Sequence, residues 1–197
     1  MPPSSGPPQD TNTSLRWNSL PPRYSEVTVD SYLPRHPSQE KAKVTVASYV
    51  KNLGKNILEG HGLSFHGAVG TGKTHLAASV ISAALGRQIS TYFVTEDGLF
   101  SKLRAEWDDH EAEARFVSLL QCVRILVIDD MGTRKPSDYV AEKYENIINE
   151  RYNKSMPTII TTNHTPEELL GVYPRQMSRL AGNAVVVVGG PDGRILA

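Results

Sequence analysis

The stretch Gly67-Ala68-Val69-Gly70-Thr71-Gly72-Lys73-Thr74 constrains this chain more than any other part of it. An apolar run, Leu63-Ser64-Phe65-His66, stands directly before it, and an alanine-rich run reaching Leu85 follows. The first has the composition of a strand and the second that of a helix, so the glycines occupy a strand-to-helix turn. Glycine lets such a turn aim several backbone N–H groups inward. A helix starting near Lys73 adds the positive end of its dipole. In this pattern the lysine reaches the β- and γ-phosphates of a nucleotide and the hydroxyl of Thr74 binds Mg²⁺. The residues Gly67, Val69, Gly70, Thr71, Gly72, Lys73 and Thr74 are therefore the expected triphosphate cradle. A plain glycine-rich turn would not need Lys-Thr at its end.

The rest of the chain repeats this strand–helix alternation about five times. Glu40 to Leu53 carries Ala42, Val46, Tyr49, Val50 and Leu53 on one helical face, with Gly54 and Gly60 as punctuation. Strands are expected at Ser90–Val94, Val123–Ile128, Thr158–Thr162 and Ala184–Val188. Helices are expected at Thr74–Leu85, Glu96–Trp107, Ala112–Gln121, Tyr139–Tyr152, Pro166–Leu170 and Arg175–Leu180. The strands are short continuous apolar runs, as in a parallel sheet covered on both faces. This pattern predicts a doubly wound α/β domain over residues 21–197.

Three further elements belong with the cradle. The apolar run Ile125–Ile128 ends in Asp129-Asp130, which delivers two carboxylates to the sheet edge where open α/β folds bind ligands. Asp129 is the expected Mg²⁺ holder and Asp130 the group that activates water, with a plain capping role as the alternative for Asp130. Asn163 ends the next apolar strand, where it either contacts the γ-phosphate or the attacking water, or serves as a turn residue. Arg175 and Arg179, four apart, share a helix face. They are ordinary surface charges unless a neighbouring subunit uses a guanidinium at its own phosphate.

Composition narrows the class. The 197 residues carry 21 acidic and 21 basic side chains, so no strong general attraction to nucleic acid is built in. The lone cysteine, Cys122, excludes an intrachain disulfide and a four-cysteine zinc site. No apolar run approaches membrane-helix length and the N-terminus lacks a signal-peptide pattern, so a cytoplasmic protein without a membrane partner is expected. Residues 1–20, rich in Pro, Ser, Asn and Thr, read as a disordered tail whose sticky residues are Leu15, Trp17 and Leu20.

With these residues in place, the chain resembles the AAA+ ATPase domain of bacterial and phage replicative helicase loaders of the DnaC/DnaI type. The IstB-type transposition helper ATPases are close relatives of that group. The resemblance rests on Pro22-Arg23-Tyr24, on Gly67 to Thr74 followed by His75-Leu76-Ala77, and on Asp129-Asp130-Met131-Gly132. It also rests on Ile147 to Tyr152, Pro157 to Asn163, Pro166 to Leu169, and Gly190-Pro191-Asp192 with Arg194. It implies an AAA+ P-loop fold with a five-stranded parallel sheet and a helical lid absent or minimal. It further implies an ATPase using ATP and Mg²⁺, with Tyr24 and His75 beside the nucleotide and Arg175 and Arg179 acting in trans. The implied assembly is a homo-oligomer with ATP at its subunit interfaces. The implied partners are a hexameric replicative helicase and single-stranded DNA, the latter near Lys102, Arg104 and Trp107. The alternatives are a DNA-transposition helper and an ATP-dependent scaffold with little hydrolysis. Asp130 in place of a longer glutamate fits slow turnover.

Overall fold

A computed structural model describes residues 20–106, 108–134 and 136–193. Leu15, Trp17, Trp107 and Arg194, and nearly all of the expected tail, lie outside the described residues.

Five strands form one parallel sheet: β1 (Leu63–His66), β2 (Thr91–Thr95), β3 (Ile125–Asp129), β4 (Thr158–Thr162) and β5 (Ala184–Val187). Their spatial order is β2-β3-β4-β1-β5. Helices α1 (Pro37–Lys51), α2 (Leu53–Glu59) and α3 (Lys73–Leu85) precede β2. After it come α4 (Glu96–Ala105), α5 (His110–Cys122), α6 (Asp138–Asn153), α7 (Pro166–Val172) and α8 (Pro174–Leu180). A short 3₁₀ turn, Pro22–Tyr24, leads in. Among the described residues no helix follows β5, and no helix is long and apolar enough to cross a membrane.

Pleating divides the strand side chains between two cores. Ile125, Val127, Ile159, Phe65 and Val186 join the cluster built with α1–α3. Leu126, Ile128 and Ile160 join the cluster under α4–α8. Every residue of β1, β3 and β4 is buried, so these strands show no alternation between a buried and an exposed face.

The edge strand β5 departs from the expected two-sided cover. Val185 and Val187 are 57% and 60% exposed, while Val186 faces the core. The expected break near Gly54 falls at Asn52, between α1 and α2, and Gly54 lies in the first turn of α2. Leu53 and Ile57 are buried one helical turn apart, and their packing outweighs the ~1 kcal/mol that glycine costs a helix. The helix ends at Gly60, as expected, with that residue in the left-handed conformation. Helix α5 starts earlier than expected because Asp109 accepts the N–H groups of Glu111 and Ala112.

At the sheet edge away from the glycine loop lies a fully buried guanidinium. Arg151 donates to Thr158 Oγ1 at 2.9 Å, Leu120 O at 2.8 Å, and Val123 O and Pro157 O at 2.7 Å. It thereby joins α6, the end of α5 and the start of β4. Burial lowers its pKa to about 9, and its four acceptors stabilise the charged form at neutral pH. Arg151→Leu strips those acceptors of their donors in a dry interior. Guanidinium unfolding should show a loss of about 3 kcal/mol, against less than about 0.5 kcal/mol for the exposed Arg115→Leu.

Candidate functional site

The loop joining β1 to α3 closes tightly on itself and on its surroundings. Gly72 sits at φ 95°, and a Cβ there would lie 2.4 Å from the Tyr32 ring. Tyr32 donates its hydroxyl to Thr71 O at 2.7 Å, Gln39 reaches the same oxygen, and Thr71 Oγ1 donates to Ala68 O. On the other side Gly193 N–H donates to Gly70 O at 3.0 Å, bringing the segment after β5 against the loop. Gly67 passes so close to Val188 that an added Cβ would meet its carbonyl oxygen at 2.1 Å.

Lys73, 5% exposed, folds over this loop. Its Nζ donates to Gly67 O and Ala68 O at 2.8 Å and to Asn163 Oδ1 at 2.9 Å. The last bond spans from α3 to the end of β4. Thr74 Oγ1 donates to Asp129 Oδ1 at 2.9 Å, and Thr161 Oγ1 donates to the same atom at 2.7 Å. Burial holds the Asp129 carboxyl above the ordinary aspartate range, opposed by the Thr161 hydroxyl; nearby Asp130 pushes further up, while Thr74 and Lys73 pull down. Asp130 is exposed and adopts φ 55°, a left-handed conformation that aspartate tolerates better than most residues. Its backbone N–H donates to Thr161 Oγ1 at 3.0 Å.

One cavity of about 310 Å³ gathers Val69, Gly70, Gly72, Lys73, Thr74, His75, Asp129, Asp130, Asn163 and Tyr24. Those expected site residues therefore meet at the C-terminal edge of the sheet, with Gly67 and Thr71 in the loop wall. Arg23 also lines this cavity, its guanidinium 4.7 Å from the Tyr24 ring centre. The signal for it was its place inside Pro22-Arg23-Tyr24, where only the tyrosine was singled out. His75 packs against Tyr32 at 5.5 Å between ring centres, and Ser31 Oγ lies 3.1 Å from its Nε2. Burial lowers its pKa.

Arg175 and Arg179 do not join their own chain's cavity. Both lie on α8 against α6: Arg175 pairs with Glu145 at 3.0 Å, and Arg179 donates to Asn149 at 3.1 Å. Arg179 lines a different cavity with Gly60, His61 and Thr158, at the opposite edge of the sheet. Lys102 and Arg104 sit on α4, where Lys102 lies over the Phe116 ring at 4.2 Å.

The sequence reading missed Glu96, which is fully buried beside the acidic loop and accepts Gly132 N–H at 2.9 Å. Its neighbour Thr95 pairs in register with Asp129 across β2 and β3. A first-turn glutamate on a helix is ordinarily a surface residue, so composition alone carried no signal.

Known proteins share this arrangement. The family model of the IstB-like ATP binding protein matches residues 39–181. The chain belongs to the IstB-like ATP binding protein family. The replicative helicase loader DnaC of Escherichia coli strain K12 is 28% identical over 175 residues, covering 87% of this chain and 70% of the relative. The crystal structure of the DnaC helicase loader superposes with a TM-score of 0.77 at 31% identity, over 85% of this chain and 99% of that one. The crystal structure of DnaI matches in fold, with a TM-score of 0.72 at 19% identity over 91% and 98%. The resemblance to DnaC/DnaI loaders and the AAA+ α/β fold with its five-stranded parallel sheet are thus both confirmed. In this IstB-like domain the shared edge that binds nucleotides across such folds is the edge where Lys73 and Asp129 converge.

The buried Glu96 marks the site in solution. Burial pushes its carboxyl up to about 7 from an ordinary 4.5, so the folded chain keeps a proton that the unfolded chain has released. The sign follows: stability present below about 4.5 is lost as pH rises through about 7. The unfolding free energy from urea titrations across this window should fall in the parent protein, by up to about 1 kcal/mol per pH unit, and fall less in Glu96→Gln.

Proposed function

We propose that this protein is an ATP-binding and ATP-hydrolysing switch that helps load a replicative DNA helicase onto single-stranded DNA. The observation that carries it is the convergence of Lys73, Thr74, Asp129 and Asn163 on one cavity, in a chain 28% identical to a replicative helicase loader.

In this reading the loop amides and Lys73 bind the phosphates. Lys73 exchanges its bonds to the loop carbonyls for phosphate oxygens, which carry more negative charge. Thr74 and Asp129 offer two hard oxygen donors 2.9 Å apart, a set that suits Mg²⁺. Bound there, Mg²⁺ would supply charge neutralisation on the phosphates. Asp130, exposed at the same cavity, accepts a proton from the attacking water, and Asn163 orients that water or the γ-phosphate. Turnover is slow, because the Asp130 side chain is one methylene shorter than a glutamate. Tyr24 and Arg23 form a wall for the base, with His75 near the ribose side. Arg175 and Arg179 lie too far round the sheet to serve their own chain, so they act on a neighbour's γ-phosphate within a homo-oligomer. Lys102 and Arg104 supply charge for the DNA backbone.

A second reading, a helper ATPase of DNA transposition, draws its support from the IstB-like family model over residues 39–181. The two differ in partner. A pull-down with ATP present that recovers a hexameric helicase supports the loader, and recovery of a transposase in its place supports the helper.

Lys73→Ala should weaken ATP binding at least about tenfold, the loss of a charge-assisted contact worth about 1.5–3 kcal/mol, with melting close to the parent. Retained affinity by calorimetry would remove the nucleotide reading. Arg179→Ala should bind ATP without turnover, and mixing it with Asp130→Ala should restore part of the rate. Mixed samples as inactive as either component would rule out sites shared between subunits.

A further inference from the structure

The peptide of Gly132 is gripped from both sides just past the acidic pair. Glu96 Oε2, at the start of α4, accepts its N–H at 2.9 Å. The His164 ring, one residue beyond Asn163, lies with Nε2 2.9 Å from its carbonyl oxygen. A carbonyl only accepts, so Nε2 carries the hydrogen and donates. Gly132 stands at φ 94°, and a Cβ there would lie 2.5 Å from His164 Cδ2, so the backbone and the ring meet without room for a side chain. His164 is itself held: its carbonyl oxygen lies 2.9 Å from His66 Nδ1, and its N–H donates to Thr162 Oγ1 at 3.2 Å. The loop is tied again one turn on, where Arg134 pairs with Asp97 at 3.0 Å and its carbonyl accepts from Tyr173 at 3.2 Å.

Three segments therefore meet at one peptide: the first turn of α4, the loop leaving β3 and the loop leaving β4. The two loops carry Asp130 and Asn163, and Asp129 ends the strand from which the first of them leaves. A carboxyl at this depth is costly because burial opposes its charged form, and the N–H groups of Gly132, Thr133 and Arg134 and the Tyr173 hydroxyl offset only part of that cost. An apolar residue at position 96 would serve the core at lower cost. The placement is explained if the peptide it fixes has to be fixed accurately.

We infer that Glu96 is a positioning residue of the hydrolytic step. Acting through the Gly132 peptide with His164 as its counterpart, it sets the acidic pair against Asn163 and ties that geometry to α4. The inference rests on the ATPase reading above and goes beyond it, assigning a role to residues that touch no nucleotide. Because α4 bears Lys102 and Arg104, a displacement of that helix reaches the acidic loop through Glu96, with the Asp97–Arg134 pair as a second tie farther along the loop.

The test measures steady-state ATPase on the full chain, with binding of mant-ATP, a fluorescent ATP analogue, and thermal melting alongside. Glu96→Leu removes the acceptor at similar volume. Its kcat should fall at least about tenfold while the mant-ATP Kd stays within about threefold, the signature of lost alignment rather than lost binding. Glu96→Gln, whose amide oxygen accepts the same N–H, should recover most of that rate. His164→Ala loosens the peptide from the other side and should also lower kcat. Since both act on one peptide, the double variant should lose clearly less than the product of the single losses. A Glu96→Leu protein that melts like the parent and turns over at the parent rate would overturn the inference, as would multiplicative losses in the double variant. Should Glu96→Leu not fold, His164→Ala decides alone, and an unchanged kcat there is equally fatal. A parent protein that binds no mant-ATP would overturn the ATPase reading and this inference with it.

Discussion

The hydroxyl of Thr161 stands at the centre of this structure's chemistry. It donates to Asp129 Oδ1 and accepts the backbone N–H of Asp130, so both acids are referenced to one atom on the neighbouring strand. A carboxylate as buried as Asp129 is tolerated only where donors meet it, and here they come from β4 and from the first turn of α3. The pairing Leu126↔Thr158, Val127↔Ile159 and Ile128↔Ile160 delivers Thr161 beside the end of β3. A slip of one residue would turn the hydroxyl to the opposite face and leave the carboxylate with a single donor. The apolar pattern of the strands therefore does more than build a core: by locking register it sets the geometry of the acids.

Two cores serve two halves of the site. The cluster around α1–α3 backs the glycine loop, and Tyr32, which belongs to it, reaches through to Thr71 O. The cluster under α4–α8 backs the acidic loop, with Met131 fully buried in it directly after Asp130. Lys73 and Asn163 join the halves across the sheet edge. At the opposite edge Arg151 turns inward, and its donors close off the carbonyls at the end of α5 and the start of β4. That guanidinium satisfies buried carbonyls, while at the glycine-loop edge Lys73, Asp129 and Asn163 border an open cavity.

Much of this was legible from local signals. The strands β1 and β4 begin and end where their apolar runs do, and the others lie within one or two residues of them. The cradle and Asp129 were legible because the residue types are needed in fixed order along the chain. What escaped is what depends on contacts distant in sequence. Glu96 and Gly132 are separated by 36 residues, and Tyr32 and Thr71 by 39. Neither end of such a pair is unusual in its own segment. The exposure of β5 escaped for a different reason: Ala-Val-Val-Val reads the same whether a strand is central or at an edge, and only the strand order separates the two. Gly54 marked the region of the break to within two residues, and it is tolerated in the first turn of α2 because Leu53 and Ile57 are anchored in the core.

Asp130 brings these strands of argument together. A residue with a side chain at φ 55° stores strain of roughly 1 kcal/mol or more and keeps that conformation only where its surroundings over-determine it. The surroundings here do so on both sides. Before the turn, Asp129 is fixed by two hydroxyls. At the turn, Asp130 N–H is held by Thr161 Oγ1. After it, Met131 donates to Thr161 O at 2.8 Å and accepts from Thr162 Oγ1 at 2.6 Å, and Gly132 is held at both its N–H and its carbonyl. All of these bonds belong to the backbone or to neighbours, leaving the Asp130 carboxylate exposed at the cavity. These restraints act on the backbone, and so fix the point at which the exposed carboxylate leaves the chain.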